Sequence, residues 1–130
     1  MARCFLPLVG ALALTLSGPV AASDFGLEYA VERAPATQLS MAQCAAAVKR
    51  GSQAAGYLTR IEQDQGASRI FVSGPKGDGR SLVAYCIQAG SMTVYVVQAF
   101  DYAGPGGVEA ARVKQAVVTA LKQATAAPRR

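Results

Sequence analysis

The sequence predicts an α+β domain: a four- to five-stranded antiparallel meander sheet with two helices, in the order β-α-β-β-β-β-α. Three observations carry this. Residues 24–33, DFGLEYAVER, alternate apolar and polar side chains with the period of a strand. Four more strand-like runs lie between 57 and 100, and the turns between them are short enough to require antiparallel neighbours. Residues 40–55 and 107–124 carry their apolar positions at helical spacing.

The first strand sets Phe25, Leu27, Tyr29 and Val31 against Asp24, Glu28, Ala30 and Glu32, so it reads as half-buried. The stretch APATQL breaks it. Ser40 with Gln43 three residues later is a capping box, and a helix starts there. Met41, Cys44, Ala45 and Val48 form its apolar face, and Gly56 is its expected stop. The runs YLTRIEQ (57–63), SRIFVSG (68–74), SLVAYCIQ (81–88) and SMTVYVVQAF (91–100) follow as strands. Asp64-Gln65-Gly66, GPKGDGR (74–80) and Ala89-Gly90 are the turns between them. DYAGPGG ends the sheet. The second helix then shows a stripe of Val113, Ala116, Val117, Ala120, Leu121 and Ala124. Residues 23–124 thus form one domain, and 125–130 are expected to be a disordered tail.

The N-terminus has the three parts of a secretory signal over residues 1–22: Arg3, an apolar run from Phe5 to Leu16, and small residues at Val20-Ala21-Ala22 after the Gly18-Pro19 break. The apolar run is shorter than the roughly 20 residues a membrane span needs. A periplasmic or secreted location is therefore expected, with no stable membrane insertion after cleavage. Cys4 leaves with the signal. Cys44 and Cys86 remain, an even pair in an oxidising compartment, and are expected to form one disulfide. Closing a loop of that length stabilises by about 4 kcal/mol in the chain-entropy model. A redox pair is disfavoured, because such pairs sit close together, as in Cys-x-x-Cys.

The last two strands are apolar on both faces. With an Ala89-Gly90 turn, residue 87 is expected opposite 92, 85 opposite 94 and 83 opposite 96. One face then carries Val83, Tyr85, Ile87, Met92, Val94 and Val96. The cysteine face carries Leu82, Ala84, Cys86, Tyr95 and Val97. A sheet with one wet face alternates instead, so a cover is implied for both faces. The second helix is the first expectation for the face opposite the cysteine. A partner protein, a second copy or a small apolar ligand are the others. Tyr85, Met92, Val94 and Val96 are the candidate binding surface.

Chemistry is sparse. The chain has no histidine, so a Ser-His-Asp or Cys-His arrangement is excluded within it. Two cysteines and scattered carboxylates make a poor zinc set, and neither a metal nor a cofactor is expected. Glu62 and Asp64, two apart in a strand, are a weak acid–base pair, and Tyr102 lies in a glycine-rich loop. GPKGDGR precedes a strand rather than a helix, so it is read as a hairpin loop and not a phosphate cradle. A formal net charge of +5 without a basic stripe argues against nucleic acid.

The element order over 24–100 resembles the cystatin-like arrangement, a helix lying across an antiparallel meander. The inhibitor motif Gln-x-Val-x-Gly of that family is missing: the nearest stretch is IQAGS at 87–91. No inhibitor residue carries over. The whole chain resembles the small exported bacterial proteins grouped as domains of unknown function, which implies an envelope or secreted place and no particular activity. The expected function is a non-enzymatic exported binding or interaction module. The alternatives are a histidine-free envelope enzyme using Glu62, Asp64 or Tyr102, and a stress-related or structural envelope protein without a defined ligand.

Overall fold

The computed structural model describes residues 25–75, 80–104 and 108–127. The signal expected at 1–22, the centre of the GPKGDGR loop and the end of the expected tail lie outside them. The elements are β1 (Gly26–Pro35), α1 (Met41–Ala54), β2 (Leu58–Asp64), β3 (Ser68–Gly74), β4 (Arg80–Ala89), β5 (Met92–Asp101) and α2 (Val108–Ala126). This is the expected α+β order. The sheet has five antiparallel strands arranged β1-β5-β4-β3-β2. Strands β2 to β5 form the meander, and β1 closes it beside β5, with Val31 opposite Val96.

Local chemistry sets the boundaries. Ser40 Oγ accepts from the Gln43 amide, and the Gln43 side chain accepts from the Ser40 amide, completing the capping box of α1. At its other end, the Gly56 amide donates to Gln53 and the Tyr57 amide to Ser52, with Gly56 at φ 79°. That is a Schellman close, which needs a left-handed residue and finds a glycine. Thr125 Oγ1 donates to the Leu121 carbonyl, and α2 continues to Ala126, two residues into the stretch expected to be tail.

The β4–β5 turn is Gly90-Ser91, with Gly90 at φ 61° and Ala89 opposite Met92. Tyr85 therefore faces Val96 and Ile87 faces Val94. The register differs by two residues from the expected one because the loop is one position later. A two-residue shift keeps every side chain on its face, so the grouping of residues by face is as read.

Both helices pack on the same side. Cys44 of α1 and Cys86 of β4 are disulfide-bonded, with Cα atoms 6.1 Å apart. The core between the helices and the sheet contains Leu39, Val48, Phe71, Leu82, Val97, Val113, Val117 and Leu121, all fully buried. Gly51 lets α1 and α2 touch: a Cβ there would stand 2.5 Å from Val117 Cα. Two helices side by side, each about 10 Å across, span the roughly 19 Å between the outer strands of a five-stranded sheet. The expectation that α2 covers the opposite face is thus corrected. Its apolar stripe is taken up by α1 and by the cysteine side of the sheet.

Candidate functional site

The face left over is the candidate site. Each strand contributes alternate residues to it, and the pairing lays them out as a grid. One row runs Val31, Val96, Tyr85, Ile70, Gln63 from edge to edge. The next runs Tyr29, Gln98, Val83, Val72, Ile61. Arg33, Val94 and Ile87 flank the first row, and Leu27, Phe100 and Ser81 flank the second. Met92 sits at the β5 end beside Pro35 and Ala89. The four sequence-named residues Tyr85, Met92, Val94 and Val96 are together on this face, each half-buried by its neighbours.

Sequence reasoning missed that β1 extends the patch. Tyr29 is 66% exposed and Val31 59%. The apolar side of β1 points away from the helices, and its polar side points in. Glu28 accepts from Lys114 Nζ, and Glu32 pairs with Lys122 and accepts from the Tyr95 hydroxyl at 2.8 Å. The Tyr95 and Lys122 contacts hold the Glu32 carboxyl below the ordinary range, the hydroxyl contact being the larger cause. Burial, reinforced by the Glu32 charge, pushes the Tyr95 phenol upward, so it remains the donor. Alternation at 24–33 was the available signal. It shows two faces and not which one is inward.

The aromatic end of the patch is built from Phe25, Phe100 and Tyr102. Their ring centroids are 6.0–6.3 Å apart, with Phe100 and Tyr102 nearly parallel at 8°. This places Tyr102 in an apolar cluster. The other acid–base candidates are also engaged: Glu62 pairs with Lys49, and Asp64 with Arg69 at 2.9 Å while its Oδ1 accepts from the Gly66 amide. Both residues are exposed. Among the described residues no three His, Cys, Asp or Glu side chains gather as a metal set. Among them, too, no helix is long and apolar enough to cross a membrane.

A second depression of about 550 Å³ lies between α1 and α2, lined by Gly51, Ala54, Ala116 and Ala120 with Arg50 and Arg112. Arg112 is committed there: it bonds Glu109 at 2.6 Å and the Ala55 carbonyl at 2.9 Å. The groove is the outer seam of the close helix contact at Gly51. The sheet face differs in kind, because its side chains are large, apolar and unmatched. What it can do is bury surface against another apolar surface.

A family model described as a family of unknown function (DUF6180) matches residues 24–126. No curated protein matches the chain.

Proposed function

The chain belongs to this family of unknown function, and on that premise we propose that it is a non-enzymatic exported interaction module that works through its open sheet face. The observation that carries the reading is the orientation of β1. A strand that turns Glu28 and Glu32 inward, and Leu27, Tyr29 and Val31 outward, leaves apolar surface exposed unless something binds there. The location is periplasmic or extracellular, supported by the signal-like pattern of 1–22 and by the Cys44–Cys86 bond. The cystatin-like element order adds no inhibitor role, because the Gln-x-Val-x-Gly loop is missing.

Site-specific photo-crosslinking in the cells that make the protein tests this. A benzophenone side chain at 94 or 96 should give one discrete adduct. The same group at Gln123, on the exposed side of α2, should give none. Absence of an adduct at both sheet positions would overturn the reading. Equal labelling at Gln123 would reduce it to nonspecific stickiness.

A further inference from the structure

We propose that the occupant of the open face is a second copy of the same chain, the two sheets packing face to face as a two-fold sandwich. This rests on the reading of the face as an interaction surface and names its partner. Three observations favour a copy over a different macromolecule.

The first is size. Five strands of about 4.8 Å spacing and five rows about 6.7 Å apart give roughly 500–800 Å² per copy. Paired, that is roughly 1,000–1,600 Å², which reaches the standard range of stable protein–protein interfaces.

The second is charge. On the grid formed by the paired strands, the charged side chains among the described residues belong to the edge strands: Arg33 beside Val94 on β1, and Arg60 at the β2 bulge beside Val72 and Gly74. A basic or acidic partner finds no counter-charge at the centre. A copy brings its own neutral centre, and its Arg33 stays near the rim. The positive charge of each copy therefore stays away from the middle of the buried surface.

The third is the pattern. Tyr85 of the middle strand lies between Val96 and Ile70, Gln98 lies beside Val83, and the apolar surface continues to both edges through Tyr29 and Val31 on β1 and Leu58 and Ile61 on β2. A two-fold interface is self-complementary: the same patch serves both sides. Alternating β-branched and aromatic residues on a twisted sheet are what a second such sheet packs against at about 10 Å.

The test is light scattering on the protein as the producing cell leaves it, with its N-terminus read by mass spectrometry, over a concentration series. The mass should be twice that of one chain. Val94→Asp should raise the dissociation constant by about tenfold or more, because each copy would bury a carboxylate–Arg33 ion pair where a valine stood. Val31→Lys serves as the second variant. Position 31 is 59% exposed in one copy, so a single chain tolerates the change, whereas the sandwich does not. Gln123→Asp on α2 should leave the dimer intact. A chain that is monomeric at every concentration overturns the proposal, whether residues 5–16, a lipid or nothing then lies on the face. A dimer that survives both Val94→Asp and Val31→Lys overturns it as well, since another surface would be holding it. A monomer that still gives a discrete adduct at 94 or 96, at a mass other than twice the chain, removes the second copy and leaves the interaction module standing. Loss of the adduct removes both.

Discussion

The two faces of one sheet differ more than the compositions of their strands do. On the cysteine side, Leu82, Val97 and Phe71 are fully buried under two helices, and a covalent bond fastens α1 to β4. On the other side, equally apolar residues from the same strands stand half-open. Hydrophobicity alone therefore does not decide which face becomes the core. The decision lies in where α2 can dock. Gly51 opens a close seat beside α1, and Lys114 and Lys122 find Glu28 and Glu32 waiting on β1. Once both helices share a side, the opposite face keeps its apolar residues with no segment of the described chain to cover them.

The sharpest way to break this asymmetry is to release the bond on the closed side. Cys44→Ser with Cys86→Ser should lower the free energy of unfolding by about 4 kcal/mol. Denaturant titration of the variant and the parent reads this directly. A loss below about 1 kcal/mol would mean that packing alone seats α1, and that the closed face owes little to the link.

A finer comparison uses two adjacent valines of β5. Val97 is fully buried beneath the helices, and Val96 lies on the open face opposite Tyr85 and Val31. Val97→Ala should cost about 2 kcal/mol from lost transfer and cavity terms. It should do so at any protein concentration. Val96→Ala should cost under about 1 kcal/mol in dilute protein. If the faces pair, its cost grows with concentration, since association adds stability by mass action. Thermal unfolding at two concentrations separates the cases. Equal costs at both positions, independent of concentration, would show that the two faces are energetically alike.

Much of this arrangement was legible in the residues. The Ser40/Gln43 box, the Gly56 stop and the assignment of β4 and β5 side chains to faces follow from short-range rules, and the Cys44–Cys86 pair, 42 positions apart, from the cysteine count alone. These rules act over one turn or one strand repeat, and nothing distant overrides them here. Two features were not legible. Helical spacing in α2 shows that Val113, Val117 and Leu121 form a stripe. It carries no information about which side of the sheet receives it. Likewise Glu28 and Glu32 read as solvent-facing in DFGLEYAVER, because their partners arrive from the far end of the chain. The candidate site follows from those two long-range choices. Its centre was visible in β4 and β5 and its β1 flank was not.

An effect the size of one hydrogen bond probes those inward carboxylates. Tyr95 is 2% exposed, and its hydroxyl donates to Glu32, whose side chain is 40% exposed. Tyr95→Phe should cost about 1 kcal/mol at neutral pH, the net value of one hydrogen bond, with the carboxylate's exposure offsetting the added strength of a charged acceptor. The pH dependence has a definite sign. Glu32 titrates below the ordinary carboxylate value of 4.5, so the stability it adds is complete above that value and is lost as pH falls through the lowered one. Tyr95 titrates above its ordinary 10.0, so its contribution is complete below that pH and is lost only as pH rises beyond it. The gap between parent and Tyr95→Phe should therefore be flat from about pH 5 to 9, and roughly halve in acid as the charged acceptor becomes neutral. A gap that widens in acid would mean that Glu32 is strained in its inward position. The outward turn of Leu27, Tyr29 and Val31 would then be held by the open face's own contacts and not by the ion pairs beneath β1.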